Sequence, residues 1–140
     1  METLEEMRQF KFDGYSRDLV DETIKTIEEF QSDIDQVWRV WLEDGIDVLK
    51  EFVVDFEFYS PDKKGIQLFK ALLEKNNHRV KINTKRLLLI FKGYELKVSI
   101  NQMWTLYKLR DQIELLGLLS RKYNLSIEGY GAFSSQHNKK

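Results

Sequence analysis

The sequence predicts an α+β fold built on an antiparallel sheet, and three observations carry that expectation. The hydrophobic period is helical before Gly45, becomes strictly alternating at Val54, Phe56 and Phe58, and turns helical again after Pro61. From Val53 onward the elements read strand, helix, strand, strand, helix, strand, which is the split βαβ order. The 140 residues are 42% hydrophobic and 13% aromatic, enough for one core. Together these point to a ferredoxin-like βαββαβ antiparallel sheet with helices on one face, preceded by N-terminal helices. The chain reads as one domain over 1–140, with N-terminal helices in 1–50, the core in 53–134 and a polar, mobile tail in 135–140.

Taken in order, Leu4, Met7 and Phe10 fit a short helix, and Asp13-Gly14 signals a turn. Ser16 is a candidate cap for a helix to about Phe30 with a stripe of Val20, Ile24 and Ile27. Ser32 and Asp35 form a capping-box pattern ahead of Ile34, Val37, Trp38, Trp41 and Leu42, which share one helical face. Gly45 ends that helix, because glycine accepts the left-handed conformation at low cost. Val54, Phe56 and Phe58 alternate with Asp55, Glu57 and Tyr59 as a half-buried strand.

Ser60, Pro61 and Asp62 then open a helix, with Ser60 as cap and Pro61 as first helical residue. Its buried stripe is Ile66, Phe69, Leu72 and Leu73, and Asn76-Asn77 ends it. Val80 and Ile82 mark a second strand. Thr84-Lys85 is read as a turn into Leu87 to Phe91, the most apolar strand, and Tyr94 to Val98 either extends it past a Gly93 bulge or adds a short extra strand. Ser99 and Gln102 resemble another capping box, followed by a helix to about Tyr123 with Met103, Leu106, Leu109, Ile113, Leu116 and Leu119 inward. Ile127 to Phe133 is the last strand. Gly129 and Gly131 in it are expected to let it pack closely under a helix.

The net charge of −1 hides a strong asymmetry. Residues 1–62 hold 18 Asp/Glu against 6 Lys/Arg, whereas residues 63–140 hold 5 Asp/Glu against 16 Lys/Arg. Such a division points to a charged partner, or to two faces of the fold that attract each other. The absence of cysteine fits a reducing compartment. No apolar run approaches the roughly 20 residues a membrane helix needs. The acidic start of the chain is unlike a secretory signal, so a cytoplasmic protein without a membrane contact is expected.

Catalysis has no visible support. The two histidines, His78 and His137, fall in a turn and in the tail, both read as exposed. No histidine pair has metal-ligand spacing, and there is no thiol nucleophile or phosphate-binding glycine motif. No cofactor is expected.

Three stretches carry a family resemblance. The first core strand ends Phe56-Glu57-Phe58-Tyr59-Ser60-Pro61-Asp62. The last strand holds Glu128-Gly129-Tyr130-Gly131, an acid–Gly–aromatic–Gly pattern with Glu and Tyr where Asp and Trp are usual. A helix ending Leu42-Glu43-Asp44-Gly45 precedes them. Over about residues 33–134 the chain resembles the RraB-like family, the regulators of ribonuclease activity. The resemblance implies a non-catalytic inhibitor that binds a ribonuclease.

Ribonuclease surfaces that bind RNA are basic, so an acidic surface is the expected partner-binding element, built from Asp18, Asp21, Glu22, Glu28, Glu29, Glu43 and Asp44. Strand parity puts Asp55, Glu57 and Tyr59 on the sheet face away from the helices, and Glu128 and Tyr130 are expected beside them as further partner contacts. Two other functions fit the same residues. One is an immunity-type protein that neutralises a toxin. The other is a nucleic-acid-binding module that uses the basic 63–97 segment, with Lys81, Lys85, Arg86 and Lys92 on phosphates. Against the latter, Lys92-Gly93-Tyr94 starts like the aromatic motif of an RNA-recognition strand, but Glu95-Leu96-Lys97 breaks it. Monomer and homodimer stay equally open.

Overall fold

A computed structural model describes residues 17–86 and 92–133. The elements are α1 (Arg17–Ser32), α2 (Ile34–Glu43), β1 (Phe52–Ser60), α3 (Lys63–Lys75), β2 (Arg79–Arg86), β3 (Lys92–Gln102), α4 (Leu106–Lys122) and β4 (Ser126–Phe133). The four strands form one sheet in the order β2-β3-β1-β4, and every neighbouring pair is antiparallel. Two N-terminal helices followed by this split βαβ connectivity give the α+β architecture the sequence predicts.

One sheet face is apolar and carries the helices. Three rows cross it: Ala132–Val54–Ile100, then Tyr130–Phe56–Val98–Val80, then Ile127–Phe58–Leu96–Ile82. Val54, Phe56, Phe58, Leu96 and Val98 have no exposed surface. Each such side chain contributes about 1.5–3 kcal/mol through burial, before the entropy of ordering is set against it. Against these rows α3 lays Ile66, Phe69, Leu72 and Leu73, and α4 lays Leu109, Ile113, Leu116 and Leu119. The Phe58 and Phe69 rings meet edge-on with centroids 5.2 Å apart.

The N-terminal helices join the same layer. Ile27 of α1 sits on Gly117 of α4, where a Cβ would come within 2.7 Å of its Cγ1. The Arg121 Nε–H donates to the Thr23 hydroxyl at 3.2 Å, and the Gln31 amide donates to the Arg110 carbonyl at 3.1 Å. Trp41 of α2 packs on Phe52, Trp38 and Tyr130. The opposite sheet face is therefore not where α1 and α2 lie.

Several element ends differ from the sequence reading, each for a local reason. Asp62 caps α3, accepting from the Lys64 N–H at 3.0 Å. Ser60 instead ends β1, takes the Asp62 N–H and donates to the Asn124 carbonyl at 2.6 Å. Ser32 donates to the Glu29 carbonyl within α1 and caps nothing, and α2 starts after Asp33. β3 runs through Ser99 to Gln102, so α4 begins later than expected, with the Thr105 hydroxyl accepting from Lys108 N–H. Met103 is consequently half exposed, while Trp104 is buried and donates from Nε1 to the Phe52 carbonyl at 3.0 Å. Thr84 and Lys85 are not a turn, since β2 continues through them and pairs with Tyr94 and Gly93. The strand expected at Leu87 to Phe91, the helix expected before Tyr15 and the tail after Phe133 lie outside the described residues. Gly45 does take the left-handed conformation, with φ of +89°.

Candidate functional site

The second face of the sheet is polar, and strand register fixes its rows. Gly131, Asp55, Ser99 and Arg79 form one row across β4, β1, β3 and β2. Gly129, Glu57, Lys97 and Lys81 form the next, followed by Ser126, Tyr59, Glu95 and Asn83. None of the described helices packs here. A Cβ placed on Gly129 or Gly131 would meet nothing within 4 Å, which overturns the expectation that these glycines seat β4 under a helix. They leave one side of the face flat instead.

Asp55 is the unusual member. It lies at the centre of the polar face yet is only 8% exposed, and its carboxylate accepts the Ser99 hydroxyl at 2.5 Å. Glu57 and Lys97 approach to 4.0 Å, a partly exposed pair worth at most about 1 kcal/mol. Tyr59 spreads its ring over Gly93, where a Cβ would come within 2.3 Å of the ring, so only glycine fits beneath it.

A groove of about 870 Å³ opens on this face. Its floor is Val53, Asp55, Lys97, Ser99 and Asn101, and the turn from Asn76 to Arg79 forms one wall. Asn77 takes φ of +66° there, and the His78 N–H returns to the Leu73 carbonyl at 3.0 Å, which stops α3 and aims the chain into β2. His78 is half-buried, not the exposed loop histidine expected, and burial lowers its imidazole below the ordinary value of 6.5. Among the described residues no group of three or more His, Asp or Glu side chains could hold a metal ion.

The predicted site residues divide among three places. Asp55, Glu57 and Tyr59 share the polar face as parity required. Glu128 is the extra residue of a β4 bulge opposite Glu57 and Phe58, exposed, with the Ser126 hydroxyl 3.4 Å from its carboxylate. Tyr130 does not join them. Because β4 pairs it with Phe56, its ring lies on the helix side between Phe30, Trp41 and Phe56. Asp18, Asp21, Glu22, Glu28 and Glu29 share the exposed face of α1 opposite Thr23 and Ile27. Glu43 and Asp44 are exposed at the end of α2.

The charge asymmetry of the sequence becomes spatial. The acidic helices α1 and α2 pack on α4 and beside β4, whereas α3 and β2 hold the other edge. Lys63, Lys64, Lys75, Arg79 and Lys81 are exposed on that second edge. The side chains of Lys85, Arg86 and Lys92 lie outside the described residues. Sequence reasoning missed His78, Arg79, Lys97, Ser99 and Asn101, because only cross-strand register shows that they converge.

A family model described as regulator of ribonuclease activity B matches residues 31–132, from the last turn of α1 to the end of β4. The chain belongs to the RraB family. The match takes in the sheet up to Ala132, α2, α3 and α4, the polar-face groove and the acid–Gly–aromatic–Gly stretch at Glu128 to Gly131. It begins after the α1 acids, so Asp18, Asp21, Glu22, Glu28 and Glu29 lie outside it, while Glu43 and Asp44 lie within. Comparison with curated proteins finds no match. RraB proteins are, by the family's description, regulators of ribonuclease activity. No helix among the described residues is long and apolar enough to cross a membrane.

Proposed function

We propose that this RraB-family protein is a non-catalytic regulator that binds a ribonuclease directly and lowers its activity. The family match over residues 31–132 is the observation that carries this reading. The acids on α1 and α2 supply the physics. An enzyme that grips phosphate chains presents a basic surface, and an exposed acidic helix face competes for it. Asp18, Asp21, Glu22, Glu28, Glu29, Glu43 and Asp44 are all exposed and placed away from the buried stripe, so they are free to make such a contact. Glu128 at the β4 bulge, with Asp55, Glu57 and Tyr59, lies across the sheet from those helices and would make a second contact with the partner. A cytoplasmic location follows from this role.

The test is capture of the chain's partners from its native lysate at low and at high salt, followed by an RNA-cleavage assay with the purified partner. Retention of a ribonuclease that is lost at high salt is expected, because the Debye length falls from about 10 Å at 0.1 M to about 3 Å at 1 M. Reversal of Glu28, Glu29, Glu43 and Asp44 to lysine should weaken retention and restore cleavage. If a ribonuclease is retained and inhibited equally by that variant, the acidic surface is not the contact. If no ribonuclease is retained, direct binding is wrong.

A further inference from the structure

We propose that the groove on the polar sheet face is a binding site for single-stranded RNA, with Arg79, Lys81 and Lys97 on phosphates and the Asp55 carboxylate reading a base. The site shares Asp55 with the sheet contact proposed above but lies across the sheet from the acidic helices and does not depend on their binding a ribonuclease.

The cations come first. Arg79 and Lys81 project from the same face of β2 two residues apart, roughly 7 Å along the strand. Lys97 stands directly opposite Lys81 in the antiparallel β2–β3 pair. Like charges in that arrangement destabilise a sheet, and the Glu57 carboxylate touches only the Lys97 side, at 4.0 Å. Arg79 and Lys81 are exposed and form no ion pair among the described residues. Arg79, Lys81 and Lys97 thus cluster across two neighbouring rows of one face, and a bound polyanion relieves their mutual repulsion.

The groove beside them has a different chemistry. Asp55 is buried to 92%, accepts one hydrogen bond from Ser99 and lines the groove with Asn76, Asn77, Asn101 and Gln102. A fixed carboxylate accepts from exocyclic amino groups such as N4 of cytosine, and amide side chains supply paired donors and acceptors for base edges. The groove volume of about 870 Å³ suits a nucleotide-sized ligand. Phosphate contacts beside a base-reading pocket fit an unpaired strand, whose base edges are free for such contacts.

The test uses the full chain and fluorescein-labelled oligocytidylate and oligouridylate, read by fluorescence anisotropy between about 50 and 200 mM salt. Tighter binding of oligocytidylate is expected. The R79Q/K81Q variant should flatten the log K against log salt slope by about 1.4, two contacts at about 0.7 each for a single strand. The D55N variant, isosteric and still able to accept from Ser99, should lose the preference for cytidine while keeping the salt slope. Cooperative melts with midpoints no lower than the parent's confirm that both variants are folded, and loss of the like-charge repulsion lets the R79Q/K81Q midpoint rise. K63Q/K64Q, at the start of α3 and outside the groove, should bind like the parent chain. Four results overturn the proposal: no anisotropy change at the lowest salt, a cytidine preference that D55N leaves intact, equal weakening by K63Q/K64Q, or competition by oligoglutamate as strong as by unlabelled oligocytidylate.

Discussion

The Tyr130 ring meets Trp41 edge-on, with centroids 6.1 Å apart and an interplanar angle of 87°. This contact ties α2 to β4, elements nearly ninety residues apart in the chain that a local reading cannot bring together. Tyr130 also lies 6.1 Å from Phe30 and stacks on Phe56 at 6.3 Å, so one ring joins both N-terminal helices to the sheet. Trp41 is only 6% exposed. Trp41→Ala should therefore cost about 3–5 kcal/mol by urea denaturation, the range for emptying a large buried aromatic site. A loss under about 1 kcal/mol would mean that the N-terminal helices are not docked on the core as described.

The Tyr130 hydroxyl is buried without a hydrogen-bond partner among the described residues, and burial, with Asp33 nearby, pushes the phenol up from 10.0 to about 12. Its neutral form is the one the core holds. The folded-state value exceeds the unfolded one, so the contribution to stability is complete below pH 10 and is lost as pH rises from 10 towards about 12. Tyr130→Phe should be neutral or stabilising by up to about 1 kcal/mol at pH 7, since it removes an unpaired polar group. It should also flatten the alkaline limb of the stability–pH curve. A marked loss of stability at pH 7 would reveal a partner for the hydroxyl.

Two glycine substitutions should behave in opposite ways. Gly65→Ala puts a Cβ 1.9 Å from the Tyr123 carbonyl oxygen, so α3 must part from the end of α4. The cost should be at least the 1–3 kcal/mol or so of ordinary overpacking. Gly131→Ala meets nothing within 4 Å, and its φ is not positive. That variant should stabilise by about 0.4–1 kcal/mol through the unfolded chain. Thermal melts of both variants give the comparison, and equal destabilisation would mean that β4 is covered on its polar face.

The alternation at Val54, Phe56 and Phe58 was legible because it depends only on neighbours in sequence, and it placed Asp55, Glu57 and Tyr59 on the polar face correctly. Tyr130 was not, because the bulge at Glu128 shifts the register of β4 by one residue and sends the aromatic to the other face. The same limit hid the groove. Asp55, Ser99 and Arg79 are separated by tens of residues and meet only through the β1–β3 and β3–β2 registers. Ser99 read as a helix cap for a local reason: a serine three residues before a glutamine is a capping signature, and cross-strand pairing overrode it. The acids of α1 needed no register, since helical spacing alone puts them on one face.

The Ser99–Asp55 hydrogen bond is the only one described for that carboxylate, which is almost wholly buried. Ser99→Ala should cost about 1–3 kcal/mol, because it leaves the carboxylate desolvated with no donor. Ser99→Thr keeps the hydroxyl and the β-branched side chain suits a strand, so it should retain most of the stability. Urea denaturation of the pair separates the hydrogen bond from simple packing. Equal losses in both variants would show that space at Ser99, and not its hydroxyl, supports Asp55.

His78 offers an acid-side counterpart to Tyr130. Its imidazole is half-buried in the groove wall, and desolvation lowers it from the ordinary 6.5. The folded state thus holds the neutral ring, while the unfolded chain takes up the proton first as pH falls. Its stabilising contribution is present above pH 6.5 and is lost as pH falls from there through the lowered folded-state value. His78→Asn keeps the backbone N–H that returns to Leu73 and removes the titration. Stability measured across that acid window should fall less steeply for the variant than for the parent chain. A slope that is the same in parent and variant would place His78 in water, with no part in the groove.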